Sequence, residues 1–402
     1  MPKRINHIAE KIYDIDNIYY ADSQARRGKK NKYWINEHDR HKEEDNLKLS
    51  NSLKNDTYQV SEYKIQKILE ATGGKIKERT LKKLPYYPDR IAQWSMMVQL
   101  IPIWDKTFIA NTYSCIIGRG IHACAKDVKK ALHKDIEGTK YCFKLDIKKC
   151  YDSINHSVLS LLLERKIKDK LVLSWLNKTI QSTEGIPIGS FTSQYFVNIY
   201  LGYLDHYIKE VLRVKYYFRY ADDMVIFAST KEELHYIKQK IFNVIYNFLL
   251  VEVKSNYQIF PVDARGVDFV GYIFYHNKTL LRKSIKIKMF KLINKYRNSK
   301  ITLDELKRSF ASYQGWLKFC DSKNLLRKIE RLTGLHISNW NGEKTTFRFV
   351  HNKSVKLIEI EKRNLYYRIN FIYKHKAFYI NSKNNKLYEE LLPLLNKSIY
   401  LD

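Results

Sequence analysis

Acid is scarce in this chain. Its 402 residues carry 42 Asp and Glu against 72 Lys and Arg, a formal net charge of +30. Such a deficit points away from a basic partner and towards a polyanion, nucleic acid first, although a solvated basic surface has the same composition. Cysteine is scarce too. The five residues, at 115, 124, 142, 150 and 320, form no C-x-x-C pair, which argues against a zinc site or a disulfide framework. Cys142 and Cys150 read instead as small core residues. No run of about 18 apolar residues occurs, and the first residues lack an apolar signal core. Neither a membrane span nor a secretory leader is therefore expected, and the cytoplasm is the expected compartment. No internal repeat or low-complexity segment stands out. Tyrosine, by contrast, is abundant: 31 rings that can stack on unpaired bases or fill a core.

The rest of the chain is organised around FRYADDMVIFA, residues 218–228. Asp222 and Asp223 sit between two β-prone apolar runs, which reads as a β-hairpin with its acids at the tip. Adjacent like charges persist where a cation lies beside them, and Mg²⁺ typically takes one or two carboxylates plus substrate phosphates. An ordinary acidic turn is the other reading of Asp-Asp alone. A third acid shifts the balance. In KYCFKLDIKKCYDSI, residues 140–154, an alternating apolar run (Tyr141, Phe143, Leu145) ends at Asp146, and a helix start follows. With this strand beside the hairpin, Asp146 comes within a few ångströms of Asp222, since neighbouring strands lie about 4.8 Å apart. Three converging carboxylates can hold two metals about 3.5–4 Å apart and stabilise both oxygens of an in-line phosphoryl displacement.

Tyr-Ala-Asp-Asp at 220–223, preceded by Asp-x-x-x-x-Tyr-Asp at 146–152, resembles the palm of a reverse transcriptase. The other blocks follow in the matching order. LPYYPDRIAQ (84–93) and SCIIGRGIHACAKDVKKAL (114–132) resemble finger motifs of the bacterial lineage related to group II introns. GIPIGSFTSQYFVNIYL (185–201) resembles the block between the acid motifs, VDFVGYIF (267–274) the primer grip, and SYQGWLKFCDSKNLLRKI (312–329) a thumb helix. The ordered series is far more specific than its four-residue acid motif.

The resemblance implies an α+β right-hand polymerase whose mostly antiparallel palm sheet is backed by helices. It divides the chain into a basic helical N-terminal extension (1–56), fingers (57–139), palm with a helical insertion (140–275), thumb (276–334) and a small β-rich C-terminal module (335–402). It implies RNA-directed addition of dNTPs to a primer 3′ end, using two Mg²⁺ ions, with Mn²⁺ a substitute. The expected metal ligands are Asp146, Ile147, Asp222 and Asp223, with Asp146 and Asp222 bridging. Lys254 stands where the family protonates the leaving pyrophosphate. Tyr151 lies where an aromatic ring excludes the ribose 2′-hydroxyl; a core aromatic is the other reading. Arg79, with Lys77 or Lys67 second, is expected to grip the triphosphate. Arg119, between two glycines, suits a phosphate or template strand, or else a structural turn.

One block departs from the common pattern. Many reverse transcriptases have Pro-Gln-Gly…Ser-Pro where this chain has Pro187-Ile188-Gly189…Ser193-Gln194. The variant resembles enzymes of diversity-generating retroelements and some related bacterial lineages. Ile188 can pack against a nucleotide but cannot hydrogen-bond it; neutral drift is the alternative.

Elsewhere, isoleucines at helical spacing fill 4–27, and the basic run 25–32 reads as a break or a phosphate-facing loop. The N-terminal extension is expected to help hold a structured RNA. His38 and His41 read as a solvated helix face rather than a metal pair. Residues 57–68 read as strand, Gly73-Gly74 as a turn, and a helix begins at Asp89, with Pro102 ending or kinking it. Helices are expected over 156–180 and, covering the palm, over 231–249; a strand over 251–262; and a cationic thumb segment over 282–300 that tracks a duplex. The tail alternates as strands and ends in a helix over 384–396, its role open. The expected partners are a structured non-coding RNA template, the DNA product and dNTPs, with an accessory protein or self-association open and no membrane. The setting divides between a diversity-generating element and antiphage defence. A non-catalytic RNA-binding scaffold and an RNA-dependent RNA polymerase are the competing classes; the acid triad opposes the first and Tyr151 the second. No maturase-type or endonuclease extension is legible.

Overall fold

The computed structural model describes residues 4–29, 32–72, 75–333, 344–347, 355–363, 366–373 and 376–382. The chain divides into two compact units, Met1–Lys288 with Tyr313–Asp321, and Met289–Ser312 with Ser322–Asp402.

The first unit opens with helices α1 (Ala9–Tyr13), α2 (Ile15–Ala25), α3 (Tyr33–Arg40) and α4 (Lys42–Lys54). The isoleucine spacing over 4–27 gives two helices rather than one, because Asp14 leaves the helical region and caps α2, accepting from the N–H groups of Asp16 and Asn17. His38 is not solvated. It is 3% exposed, its Nδ1 lies 2.9 Å from Asp45, and its ring stacks on Tyr87. His41 is exposed, as expected.

A two-stranded antiparallel ribbon follows, β1 (Lys64–Thr72) and β2 (Lys75–Lys83). The strand expected from 57 begins only at Lys64. Upstream of it, the Tyr58 hydroxyl and the Ser61 N–H are both bound by buried Asp89, so a side-chain carboxylate replaces the ladder there. The Gly73-Gly74 turn lies outside the described residues. A wide turn over Tyr86–Arg90 leads into α5 (Ile91–Trp104), which carries Pro102 in its last turn.

A five-stranded sheet, built largely from the segments expected as palm, has the order β3-β5-β6-β4-β7: β3 (Thr112–Tyr113), β4 (Tyr141–Asp146), β5 (Tyr216–Tyr220), β6 (Asp223–Ala228) and β7 (Gln258–Pro261). All pairings are antiparallel except β3 with β5. Helices back it: α6 (Ile121–Lys134), α7 (Cys150–Ser153), α8 (His156–Glu164), α9 (Lys170–Gln181), α10 (Phe191–His206) and α11 (Lys231–Asn247). On α11, Leu234, Ile237, Ile241, Val244 and Ile245 are all buried, and the helix packs on β4, β6 and β7. The expected strand over 251–262 shrinks to β7; upstream, only Val253 pairs, in a bridge with Ile147. Cys142 and Cys150 are core residues, and all five cysteines are free.

After α12 (Val262–Arg265) comes a three-stranded sheet of β8 (Val267–Phe269), β9 (Tyr272–Phe274) and β10 (Thr279–Leu281), then α13 (Lys283–Arg297), α14 (Leu303–Leu317) and α15 (Lys323–Thr333). The single thumb helix expected over 312–329 is therefore broken. Asp321 exchanges main-chain and side-chain hydrogen bonds with Thr279, at 2.8 and 2.6 Å, and this pairing pulls the chain out of helix. In the second unit, β11 (Lys344–Phe347), β12 (Val355–Arg363), β13 (Tyr366–Tyr373) and β14 (Lys376–Ser382) form one antiparallel sheet in sequence order. The final helix expected over 384–396 lies outside the described residues. Among the described residues, no helix is long and apolar enough to cross a membrane.

Candidate active site

The hairpin forms as its sequence dictates. Tyr216–Tyr220 and Asp223–Ala228 pair with Tyr220 opposite Asp223, which leaves Ala221 and Asp222 as the turn. On its other side β6 pairs with β4, and the register sets Asp146 directly opposite Asp223. The Ile147 N–H reaches the Asp222 carbonyl at 3.4 Å, so all three acids and Ile147 meet at one end of the sheet. Lys254 joins them: its N–H donates to the Asp146 carbonyl at 2.8 Å, and its Nζ donates to Asp146 Oδ2. On the opposite flank, Lys144 Nζ lies 3.5 Å from Asp223 Oδ2 and donates to the Asp268 carbonyl.

These acids are poorly served. Burial pushes the Asp222 carboxyl up to about 6, and the charge of Asp146 adds to the rise; Lys254 opposes it. Burial likewise pushes Asp223 up to about 6, with Lys144 opposing and the two other acids reinforcing. Asp146 Oδ1 and Asp223 Oδ1 are both enclosed with no hydrogen-bond partner. Enclosed, mutually repelling, half-satisfied carboxylates suit a hard divalent cation, which takes oxygen ligands and removes the repulsion. As placed, no three acidic, His or Cys side chains among the described residues are drawn together closely enough to ligate one ion. The two ammonium groups occupy the outer oxygens instead.

The other candidates lie on other elements. Tyr151 is on α7, the short helix just after Asp146, and is half-buried against the core. Its carbonyl accepts from the Ile186 N–H at 2.8 Å, and Gly185, at φ +58, packs so closely on Tyr151 and Asp152 that a Cβ there would lie 2.5 Å from the same carbonyl. The 185–190 loop is thus seated on the Asp146 segment. In it Ile188 is half-buried and Gly189 exposed, and Gln194 is exposed in the first turn of α10. Lys77 and Arg79 lie on β2 opposite Glu70 and Ile68, while Lys67 pairs with Glu78 at 2.9 Å. Arg119 is half-buried and spends one N–H on the Ile109 carbonyl at 2.8 Å.

Two features escaped sequence reasoning. A cavity of about 650 Å³ is lined by Trp34, Tyr87, Phe191, Lys82 and Arg90 among others, an aromatic and cationic wall assembled from segments far apart in sequence. Beneath the acid turn, wholly buried Arg219 pairs with Asp205 at 2.6 Å. The only sequence signal for it is a cation within the apolar strand run YYFRY.

Residues 48–274 match the family described as "Reverse transcriptase (RNA-dependent DNA polymerase)". Among curated proteins, the chain is 21% identical over 350 residues to the group II intron-encoded protein LtrA of Lactococcus lactis, covering 68% of this chain and 57% of that protein. It is 24% identical over 234 residues to the Escherichia coli protein YkfC, covering 47% and 61%. The chain thus spans about six-tenths of the length of these relatives. Among solved structures, a telomerase from Candida albicans in complex with a telomeric RNA fragment aligns with a TM-score of 0.44 at 12% identity, over 70% of this chain and 55% of that one.

Proposed function

The chain belongs to the reverse transcriptase family, and from that premise we propose that it is an RNA-directed DNA polymerase, adding dNTPs to a primer 3′ end on an RNA template. The observation that carries this reading is the register of β4 and β6, with Asp146 opposite Asp223 and Asp222 at the adjoining turn. The family generally uses divalent metal ions, usually Mg²⁺. In this reading Asp146, Asp222, Asp223 and the main chain of Ile147 hold two such ions, and Mn²⁺ can substitute. The chemistry supplied there is activation of the primer hydroxyl and neutralisation of the triphosphate. Lys254, already in contact with Asp146, is poised to give a proton to the leaving pyrophosphate. Tyr151 lies under the sugar and excludes a 2′-hydroxyl, Ile188 and Gly189 border the incoming base, and Gln194 and Arg119 flank the strand. Arg79, with Lys77 second, meets the triphosphate from the finger ribbon.

The net charge of +30 and the aromatic, cationic cavity support a nucleic-acid partner. We further propose a diversity-generating element or related retroelement as the setting, on the strength of Ile188 in place of Gln. Antiphage defence with a dedicated non-coding RNA is the alternative, and sequencing the nucleic acid that co-purifies with the protein separates the two. The direct test is extension of a labelled primer on an RNA template with dNTPs and, separately, rNTPs. Wild type should extend with dNTPs alone, and Tyr151→Ala should admit rNTPs. No extension on any template would leave the scaffold reading.

A further inference from the structure

Arg219 sits on β5 with its side chain wholly enclosed, and its guanidinium fork divides between two tasks. One edge forms a bidentate pair with Asp205 of α10, Nε to Oδ1 at 2.7 Å and Nη2 to Oδ2 at 2.6 Å. The other nitrogen, Nη1, donates to the carbonyl of Ala221 at 2.8 Å and to Asn198 Oδ1, also on α10, at 3.1 Å. Ala221 is the residue before Asp222 and lies in the left-handed region, at φ +54. A non-glycine residue there is strained and needs its surroundings to hold it. A charge-assisted hydrogen bond onto its carbonyl, about twice as strong as a neutral one, supplies that hold.

The network is anchored from the far side as well. Asp205 also accepts from Tyr217 Oη at 2.6 Å and Thr112 Oγ1 at 2.7 Å, and Asn198 Nδ2 donates to the Ser114 carbonyl at 3.0 Å. Every group around the guanidinium therefore has a partner. Buried ion pairs of this kind are often no more stabilising than apolar residues of the same volume. Stability alone is thus a weak reason for an arginine here, and the geometry offers another. Helix α10 starts at Phe191, directly after the 188–190 segment. A fork that grips both α10 and the turn before Asp222 ties the helix that follows the 188–190 segment to the acids.

We propose that Arg219 is the positioning residue of the acid hairpin, fixing Asp222 and Asp223 by clamping the Ala221 carbonyl to Asp205 and Asn198 of α10. The inference rests on the polymerase reading for its kinetic test and on geometry alone for its second test. Arg219→Lys keeps a charge opposite Asp205, but a single nitrogen cannot serve the carboxylate and the turn together. Its kcat for nucleotide addition should fall about 100-fold, the scale of an ångström's misplacement, while the KM for dNTP and the affinity for primer–template change less than about threefold. Amide exchange over residues 220–223 should quicken by about tenfold, the loss of one such hydrogen bond. Tyr217→Phe removes a hydrogen bond from the same carboxylate on the side away from the turn, and should alter neither reading by more than about twofold.

Arg219→Lys with kcat within about threefold of wild type, or both variants losing activity in proportion to their melting temperatures, would overturn the proposal. If Arg219→Lys does not fold, Asn198→Ala decides. It leaves the Arg–Asp pair intact, loosens the arm to the turn and also frees the Ser114 carbonyl, so at equal loss of melting temperature its kcat must fall further than that of Tyr217→Phe. Should wild type add no nucleotide, the polymerase reading fails by itself, and amide exchange at 220–223 still decides the positioning role.

Discussion

Arg219 and Asp223 lie on the same hairpin, the first wholly buried and the second half-buried, and their surroundings differ. The arginine meets two carboxylate oxygens, an amide oxygen and a main-chain carbonyl. The aspartate has one lysine 3.5 Å away, a second oxygen with no partner, and two further acids nearby. The arginine is satisfied without any outside group; the acids at the tip become satisfied only when positive charge is added. A protein interior tolerates such an imbalance where function requires it, and perturbed carboxylates grouped at one end of a sheet are the physical mark of such a place.

The largest effect should come from the tip. Asp222→Ala with Asp223→Ala should reduce nucleotide addition by at least about 1,000-fold while leaving affinity for RNA within about twofold, because the acids serve chemistry rather than binding. A double variant that still extends a primer on RNA would show that the metal site lies elsewhere. The arginine network should respond in the opposite sense. Asp205→Ala strands a buried guanidinium and should cost about 3–5 kcal/mol in chemical denaturation. Asp223→Asn, in EDTA at neutral pH, should leave stability unchanged or raise it, since it removes a charge the fold disfavours. Equal losses for the two would erase the contrast.

Acidity sharpens the same comparison. Asp222 and Asp223 are raised from 3.8 to about 6, so the folded protein holds these protons more firmly than the unfolded chain. Their stabilising contribution is complete below about pH 4 and is lost as the pH rises through about 6. In EDTA, the melting temperature of wild type relative to Asp222→Asn/Asp223→Asn should therefore drop between pH 5 and pH 7.5, and a flat difference would mean that the tip is better solvated than its geometry implies. The smallest effect belongs to the loop seated on α7. A glutamine amide at 188 could reward the correct base pair with one net hydrogen bond of about 0.5–1.5 kcal/mol, so Ile188→Gln should lower misincorporation roughly 2- to 12-fold. Single-nucleotide incorporation of correct and incorrect dNTPs measures it, and equal ratios at every template base would remove the reason for preferring a mutagenic setting.

The two sites on the hairpin were also unequally legible. The hairpin of the tip is written locally, in two β-prone runs and a two-residue turn, whereas the approach of Asp146 depended on its strand lying beside the hairpin, which the pairing of β4 with β6 supplies. Helices α8, α9 and α11 were legible because their apolar spacing is local, whereas α10 was not expected as a helix. The arginine network was not legible, because its side-chain partners lie at 198 and 205 on a helix whose neighbours the sequence does not disclose. The same limit explains the segments that departed from expectation. Residues 57–63 and 318–322 have the composition of strand and helix, yet Asp89 in one case and the Asp321–Thr279 pairing in the other hold them in neither. His38 was misjudged because its partners, Asp45 and the Tyr87 ring, arrive from different elements.

The central claim is that the tip is left short of positive charge so that divalent ions can bind there. Thermal melting at pH 7.5, in EDTA and in saturating Mg²⁺, tests it most directly when wild type is compared with Asp222→Asn/Asp223→Asn. A ligand that binds only the folded state raises stability in proportion to its occupancy. Mg²⁺ should raise the melting temperature of wild type and leave that of the double variant where it was. Equal shifts in both proteins, or none in wild type, would contradict the claim.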